Sequence, residues 1–229
     1  MPNEKLMETV LDADNLHAAY LAVKANKGAA GIDGIGTEEL GEHLRKHWAG
    51  IRAKLEEGTY KPAPVRAVEI PKSGGGKRRL GIPTTLDRLI QQALHQVLDA
   101  VFDPDFSQPS YGFRRGRGAR EAVEAARAYV VEEGRSWVVD IDIKAFFDHI
   151  DHDILMRMVA AKVRDKRVLK LIGKYLRAGV LENGKVTRAA KGTPQGGPLS
   201  PWLGNIYLDA LSTRNSKPAG WRSAATRTT

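Results

Sequence analysis

A chain of 229 residues with 42% hydrophobic content can bury a core, as one large domain or two small ones, which excludes a short peptide or an unstructured tail. Lysine and arginine outnumber aspartate and glutamate by 36 to 27, and the formal net charge of +9 suits contact with phosphate backbones or anionic surfaces. There is no cysteine, so disulfide frameworks, thiolate zinc sites and cysteine nucleophiles are excluded.

The opening "MPNEKLMETVLDADNLHAAYLAV" carries early acidic residues and no apolar stretch leading to a small-residue cleavage site, so it does not read as a signal peptide. No run of about 18 apolar residues occurs, and a soluble, cytoplasmic protein without a membrane partner is the expectation. From Glu4 to Asn26 apolar residues recur at helical spacing, and "NKGAAGIDGIG" then breaks the pattern as a basic-rimmed loop. A second helix is predicted from Thr37, as N-cap, to Leu55.

"YKPAPVRAVEIPKSGGGKRRLGIPT" alternates apolar and polar side chains around a glycine turn, the pattern of a β-hairpin with a basic tip. A long amphipathic helix follows Thr84. "FSQPSYGFRRGRGAREAVEAARAYV" reads as an arginine-rich loop entering another helix. "SWVVDIDI" reads as a strand, "HDILMRMVAAKVRDKRVLKLIGKYLRAG" as helical, and "GVLENGKVTRAAKGTPQGG" as a hairpin turning at Asn183-Gly184. "PLSPWLGNIYLDAL" closes the pattern as a helix. This order fits α+β better than a regular βαβ alternation.

The stretch "WVVDIDIKAFFDHIDHD" sets five aspartates among Val, Ile and Phe. In a strand, Asp140, Asp142 and Lys144 would share one face, with Ile141, Ile143 and Ala145 on the other. The plainer reading is an exposed edge strand, with Asp148, Asp151 or Asp153 capping the next helix. For Asp142, a carboxylate at a strand end beside a phosphate-binding surface is what Mg²⁺ requires. A magnesium ion bridging a triphosphate and an attacking hydroxyl is the arrangement of two-metal phosphoryl transfer, for which one strand is not a complete site.

"DIKAFFDHI" resembles motif A of reverse transcriptases, in particular the enzymes encoded by group II introns. The resemblance implies the fingers and an incomplete palm of a right-hand polymerase, Asp142 as the first catalytic, metal-binding aspartate, and Ile143 as the donor of a backbone carbonyl to a metal. It puts Phe147 at the aromatic gate that presses on the sugar and rejects a 2′-hydroxyl. "PKSGGGKRRLGIPTTLDRLIQQAL" is similar to the family's fingers hairpin, with Lys72 and Arg78 gripping the incoming triphosphate. "SYGFRRGRGAREA" resembles the Ser-Tyr-Gly-Phe-Arg segment and implies Arg114 near nucleotide or template, while Arg115 stands where the family often has proline. "KGTPQGGPLSPWLGNIYLDAL" resembles motif B, with Gln195 touching the incoming nucleotide and Gly196 and Gly197 allowing close backbone approach. "NKGAAGIDGI" looks like the loop that packs over template RNA. Lys24 and Lys27 at that loop, with Arg115 and Arg117, are the implied RNA contacts.

By this resemblance residues 1–136 form the N-terminal loop region and fingers, 137–211 a partial palm, and 212–229 a basic tail outside the pattern. The implied partners are RNA template, intron RNA, DNA primer and deoxynucleoside triphosphates, with Mg²⁺ as cofactor. The family's Tyr-Ala-Asp-Asp motif does not follow; "STRNSKPAGWRSAATRTT" stands there, with four basic and no acidic residues. Codons chosen for the residues from Thr213 onward can be read in the neighbouring frame as "KELEARGLAFCRYADD". The expectation is therefore a frameshift near Leu211 or Ser212 that truncates the enzyme before its aspartate pair and removes catalysis. The alternatives are a non-catalytic RNA-binding remnant, a piece that does not fold stably, and a reverse transcriptase of a CRISPR-associated or diversity-generating system.

Overall fold

The amphipathic opening folds as two helices rather than one: α1, Leu6–Val10, and α2, Ala13–Ala25. The break falls at Asp12, whose carboxylate accepts the amides of Asp14 at 3.0 Å and Asn15 at 3.4 Å. A side chain that caps a new helix stands in extended backbone, which interrupts the previous one. This computed structural model describes residues 4–71, 75–188 and 190–214. The helix predicted from Thr37 begins later, as α3, Leu40–Glu56. Thr37 does not cap it but is buried in the preceding turn, where the Glu39 carboxylate accepts the Gly36 amide at 2.7 Å.

The first hairpin forms as expected, with β1, Val65–Pro71, antiparallel to β2, Lys77–Ile82, in a register that sets Arg66 opposite Ile82 and Pro71 opposite Lys77. The second joins β3, Val180–Glu182, to β4, Lys185–Thr187. Its turn residues Asn183 and Gly184 have φ of 49° and 76°, the left-handed pair that a two-residue hairpin turn requires. β1 and β3 run parallel, Val65 beside Val180, and unite the hairpins in one sheet of order β2-β1-β3-β4.

Between the hairpins lie α4, Thr85–Phe102, α5, Ala119–Val131, α6, His152–Lys162, and α7, Lys166–Leu176; α8, Leu199–Arg214, follows the second. The single helix expected after His152 is thus two, because Asp165 accepts the Arg167 amide at 2.9 Å and caps α7. Asp151 caps α6 in the same way, through the amides of Asp153 and Ile154. Helix α4 runs through the core: Leu89, Ile90, Leu94 and Leu98 are buried against Met7, Leu155, Ile172 and Trp202 of the helices around it. Full burial of each such side chain contributes roughly 1.5–3 kcal/mol, which makes this cluster the main stabilising feature.

The strand expected over the aspartate stretch is overturned. Residues 137–143, read from their alternation as a strand, have no regular structure, and Trp137, Val138 and Ile141 are 91%, 80% and 78% exposed. Alternation is a local property, whereas a strand exists only when another strand takes its amides and carbonyls. Among the described residues no strand pairs with this segment; the four-stranded sheet is built without it. The two-faced arrangement of Asp140 and Asp142 is accordingly absent.

Candidate nucleotide and RNA cleft

A cleft of about 1730 Å³ is lined by four stretches far apart in sequence: the start of β2 from Lys77 to Gly81, residues Val139 to Asp148, the loop from Lys191 to Gly197, and Ser107 to Phe113. It gathers Arg78, Asp142, Ile143, Phe147, Gln195 and Gly196 from three separate sequence motifs. Arg78 is half-buried on the hairpin and Asp142 is exposed on the unpaired segment. Phe147 lies in a 3₁₀ turn, Phe146–His149, where its ring meets Phe146 edge-on at 5.4 Å and packs against the core. Ala145, just before that turn, has φ of 51°, and its carbonyl accepts the Asp148 amide at 2.9 Å.

The loop carrying Gln195 is held from two sides. On one, Gly192 donates to the Ile150 carbonyl at 2.7 Å and Thr193 to the Phe147 carbonyl at 2.9 Å. The buried His152 adds a bond from Nε2 to the Gly192 carbonyl at 2.6 Å; because a carbonyl only accepts, Nε2 carries the proton. On the other side, Gly81 of β2 donates to the Gln195 carbonyl at 2.6 Å. Gly196 makes this approach possible: its φ is 132°, and a β-carbon there would stand 2.6 Å from the Gly81 carbonyl oxygen. Thr193 and Ser200 close the loop internally, Thr193 Oγ1 to Ser200 Oγ at 2.8 Å and Ser200 Oγ to the Pro194 carbonyl at 2.7 Å.

Other expected residues fall differently. Lys72 lies outside the described residues, as does the basic tail from 215 onward. Arg114 does not line the cleft: its buried guanidinium donates to Asp103 Oδ1 at 2.6 Å and to the carbonyls of Asp103, Ser107 and Ser110. A fork with all these partners braces its own loop. Arg117 binds the Gln108 side chain at 2.9 Å and lies over the Tyr111 ring, while Arg115 is exposed. Lys24 pairs with Glu38 at 3.1 Å, which raises its pKa, and Lys27 is exposed with φ of 46°.

The N-terminal loop is docked rather than loose. Arg66 donates to the Ala30 carbonyl at 2.7 Å, Arg88 to that of Ala29 at 2.6 Å, and Thr85 Oγ1 to that of Ile35 at 2.6 Å. Sequence reasoning missed Arg66, Arg88 and His152. Each is a polar residue flanked by a regular pattern, and only its bond to a carbonyl distant in sequence distinguishes it from a solvated side chain.

Residues 70–222 match the family model described as reverse transcriptase (RNA-dependent DNA polymerase). The chain belongs to the reverse transcriptase family. It is 39% identical over 208 residues to the group II intron-encoded protein LtrA of Lactococcus lactis subsp. cremoris, covering 90% of this chain and 34% of that protein. It is 34% identical over 211 residues to the protein YkfC of Escherichia coli (strain K12), covering 90% and 55%. The putative COX1/OXI3 intron 1 protein of Saccharomyces cerevisiae is 31% identical over 207 residues. This reverse transcriptase chain therefore spans between about a quarter and about a half of the length of these relatives.

A solved structure, the partial Cas6-RT-Cas1--Cas2 complex, superposes with a TM-score of 0.61 at 21% identity, over 91% of this chain and 34% of that one. The expected fold class, α+β with polymerase fingers and an incomplete palm, is borne out, as is the kinship with group II intron-encoded proteins. Among the described residues no helix is long and apolar enough to cross a membrane.

Proposed function

We propose that this chain is the nucleotide- and RNA-binding portion of an RNA-directed DNA polymerase of the group II intron type. The observation that carries the reading is the cleft itself, which brings Arg78, Asp142, Phe147 and Gln195 together. In the reaction so assigned, a primer 3′-hydroxyl attacks the α-phosphate of a deoxynucleoside triphosphate on an RNA template and pyrophosphate leaves. Arg78, with Lys72 on the same hairpin, binds the phosphates; Phe147 limits the space at the sugar; Gln195 and Gly196 lie against the new base pair. Lys24, Lys27, Arg115 and Arg117 contact template or intron RNA, and the site of action is the cytoplasm. Residues 1–136 would form the loop region and fingers, and 137–211 the partial palm.

Among the described residues no three acidic or histidine side chains gather as a metal cage. Magnesium does not need one: it keeps several waters and is commonly held by one or two carboxylates together with substrate phosphates. An exposed aspartate in a cation-lined cleft fits that donor set, so Asp142 and the Ile143 carbonyl would hold an ion brought by the nucleotide. When bound, the ion neutralises phosphate charge. The sparse carboxylates favour a second reading, RNA binding without catalysis, because phosphate contacts from lysine and arginine do not depend on metal.

The test measures RNA affinity and Mg²⁺-dependent nucleotide affinity, alongside primer extension on an RNA template. Nucleotide binding that Asp142→Ala and Arg78→Ala both weaken, with salt-sensitive RNA binding, is the expected outcome. RNA binding with no Mg²⁺-dependent nucleotide binding supports the second reading instead. A chain that binds neither would overturn both.

A further inference from the structure

Phe113 stands apart from the other phenylalanines. Of the five in the chain, Phe102 and Phe106 belong to the core and Phe146 and Phe147 pack against it, but Phe113 does not. The residue is 38% exposed and lines the cleft. Among the described residues no ring or cation stacks on it, whereas the neighbouring Tyr111 ring is covered by the Arg117 guanidinium at 5.9 Å.

The backbone holds this exposed ring in an uncommon conformation. Phe113 has φ of 55°, a left-handed geometry that a bulky side chain adopts only when its surroundings over-determine it. Those surroundings are fixed on both sides. The Gly112 carbonyl accepts Asn205 Nδ2 at 2.9 Å, anchoring the loop to α8. On the other side the buried Arg114 guanidinium binds four oxygens, and the Ser107 amide donates to Asp209 Oδ1 at 2.9 Å. A partly exposed aromatic side chain on a braced loop thereby lines a cleft that also holds Arg78, Arg79 and Lys191.

We propose that Phe113 is a stacking platform for an unpaired base of single-stranded RNA entering the cleft, an inference that rests on the RNA-binding reading above. Every base has a π-face, so such a platform accepts any sequence while nearby cations hold the phosphates. Its fixed position means that little ring freedom is lost when the base arrives.

The test compares the full chain with Phe113→Leu, which keeps an apolar side chain without a π-face, and Phe113→Tyr, which keeps the ring. Fluorescence anisotropy would measure binding to a labelled oligoadenylate of about 12 nucleotides, a length within the usual single-strand footprint, and to a ribose-phosphate oligomer of equal length without bases. The expected result is a loss of about five- to a hundredfold for oligoadenylate in Phe113→Leu, near-parental binding in Phe113→Tyr, and no difference among the three on the abasic oligomer. Melting curves establish that the variants are folded; should Phe113→Leu melt early, Phe113→Met supplies a second ring-less side chain. Equal losses on both oligomers, or no loss on either, would overturn the stacking role and leave RNA binding intact. If the parent chain binds neither oligomer, the stacking role and the RNA-binding reading fall together.

Discussion

His152 Nε2 and the Gly192 carbonyl oxygen lie 2.6 Å apart in the protein interior, and this bond joins the start of α6, just beyond the Phe146–His149 turn, to the loop that carries Gln195. The two segments are also stitched by Gly192 to Ile150 and Thr193 to Phe147. Replacing His152 by leucine leaves a buried carbonyl without its partner, at a cost of about 1–3 kcal/mol. Glutamine can reach with an amide donor from nearly the same place. We expect His152→Leu to lower the melting temperature and to speed hydrogen exchange at Gly192 and Thr193, and His152→Gln to restore most of both. Unchanged exchange in the leucine variant would show that the two amide bonds hold the loop unaided.

The unpaired segment gives an opposite expectation. Val139 is 60% exposed and Ile141 78%, so neither side chain contributes much burial energy. Val139→Thr and Ile141→Thr should each change unfolding free energy by no more than about 0.5 kcal/mol, the usual range for surface substitutions. The same changes should raise solubility, since an unpaired apolar segment is a template for pairing between molecules. A loss of more than about 1 kcal/mol in a urea titration would mean that these residues are buried after all.

These two cases mark what the sequence makes legible. The Asn183-Gly184 turn, the glycine-tipped hairpin and the amphipathic face of α4 follow from rules acting over a few residues, and each forms where expected. The resemblance motifs likewise bring Arg78, Asp142, Phe147 and Gln195 to one cleft. What local rules cannot supply is the partner. Residues 137–143 alternate like a strand and have none among the described residues, and the Asp12 and Asp165 caps split two runs whose apolar spacing continues across the break. Arg114 belongs to an arginine run that looks solvated, yet its acceptors come from a loop folded over it. His152 needs a carbonyl from 40 residues further along the chain, which no periodicity announces.

Acid should release a specific brace. Burial alone would raise the Asp165 carboxyl, but hydrogen bonds from the Arg167 side chain, the Met7 amide and the Arg167 amide outweigh it and hold its pKa below the ordinary aspartate value. The folded state therefore binds fewer protons than the unfolded chain in that range, and stability rises with pH across it. The contribution is fully present above the unfolded value of about 4 and is lost as pH falls through the lower folded value. We expect Asp165→Asn to be less stable at neutral pH and to show a flatter acid limb when unfolding is followed from pH 7 downward. An acid limb identical to the parent's would assign the loss to other carboxylates.

Asp87 is a buried carboxylate bonded to four different residues, where Asp165 is bonded to two, and its removal should cost the most. It lies in the first turn of α4, where Oδ1 accepts Tyr60 at 2.8 Å and Tyr175 at 3.1 Å and Oδ2 accepts Thr84 Oγ1 at 2.8 Å and the Ala63 amide at 3.0 Å. Burial pushes its pKa up while these donors pull it down, and the same burial raises the pKa of both tyrosines. One residue thus ties the approach to β1, the start of α4 and the end of α7. Tyr175→Phe removes a single donor and keeps the ring, so a loss of about 1 kcal/mol is expected. Asp87→Ala strands four donors at once, three of them buried, for which a loss of about 3 kcal/mol or more is expected. Urea denaturation of the two variants measures both, and nearly equal losses would show that Tyr175 rather than the carboxylate organises the junction.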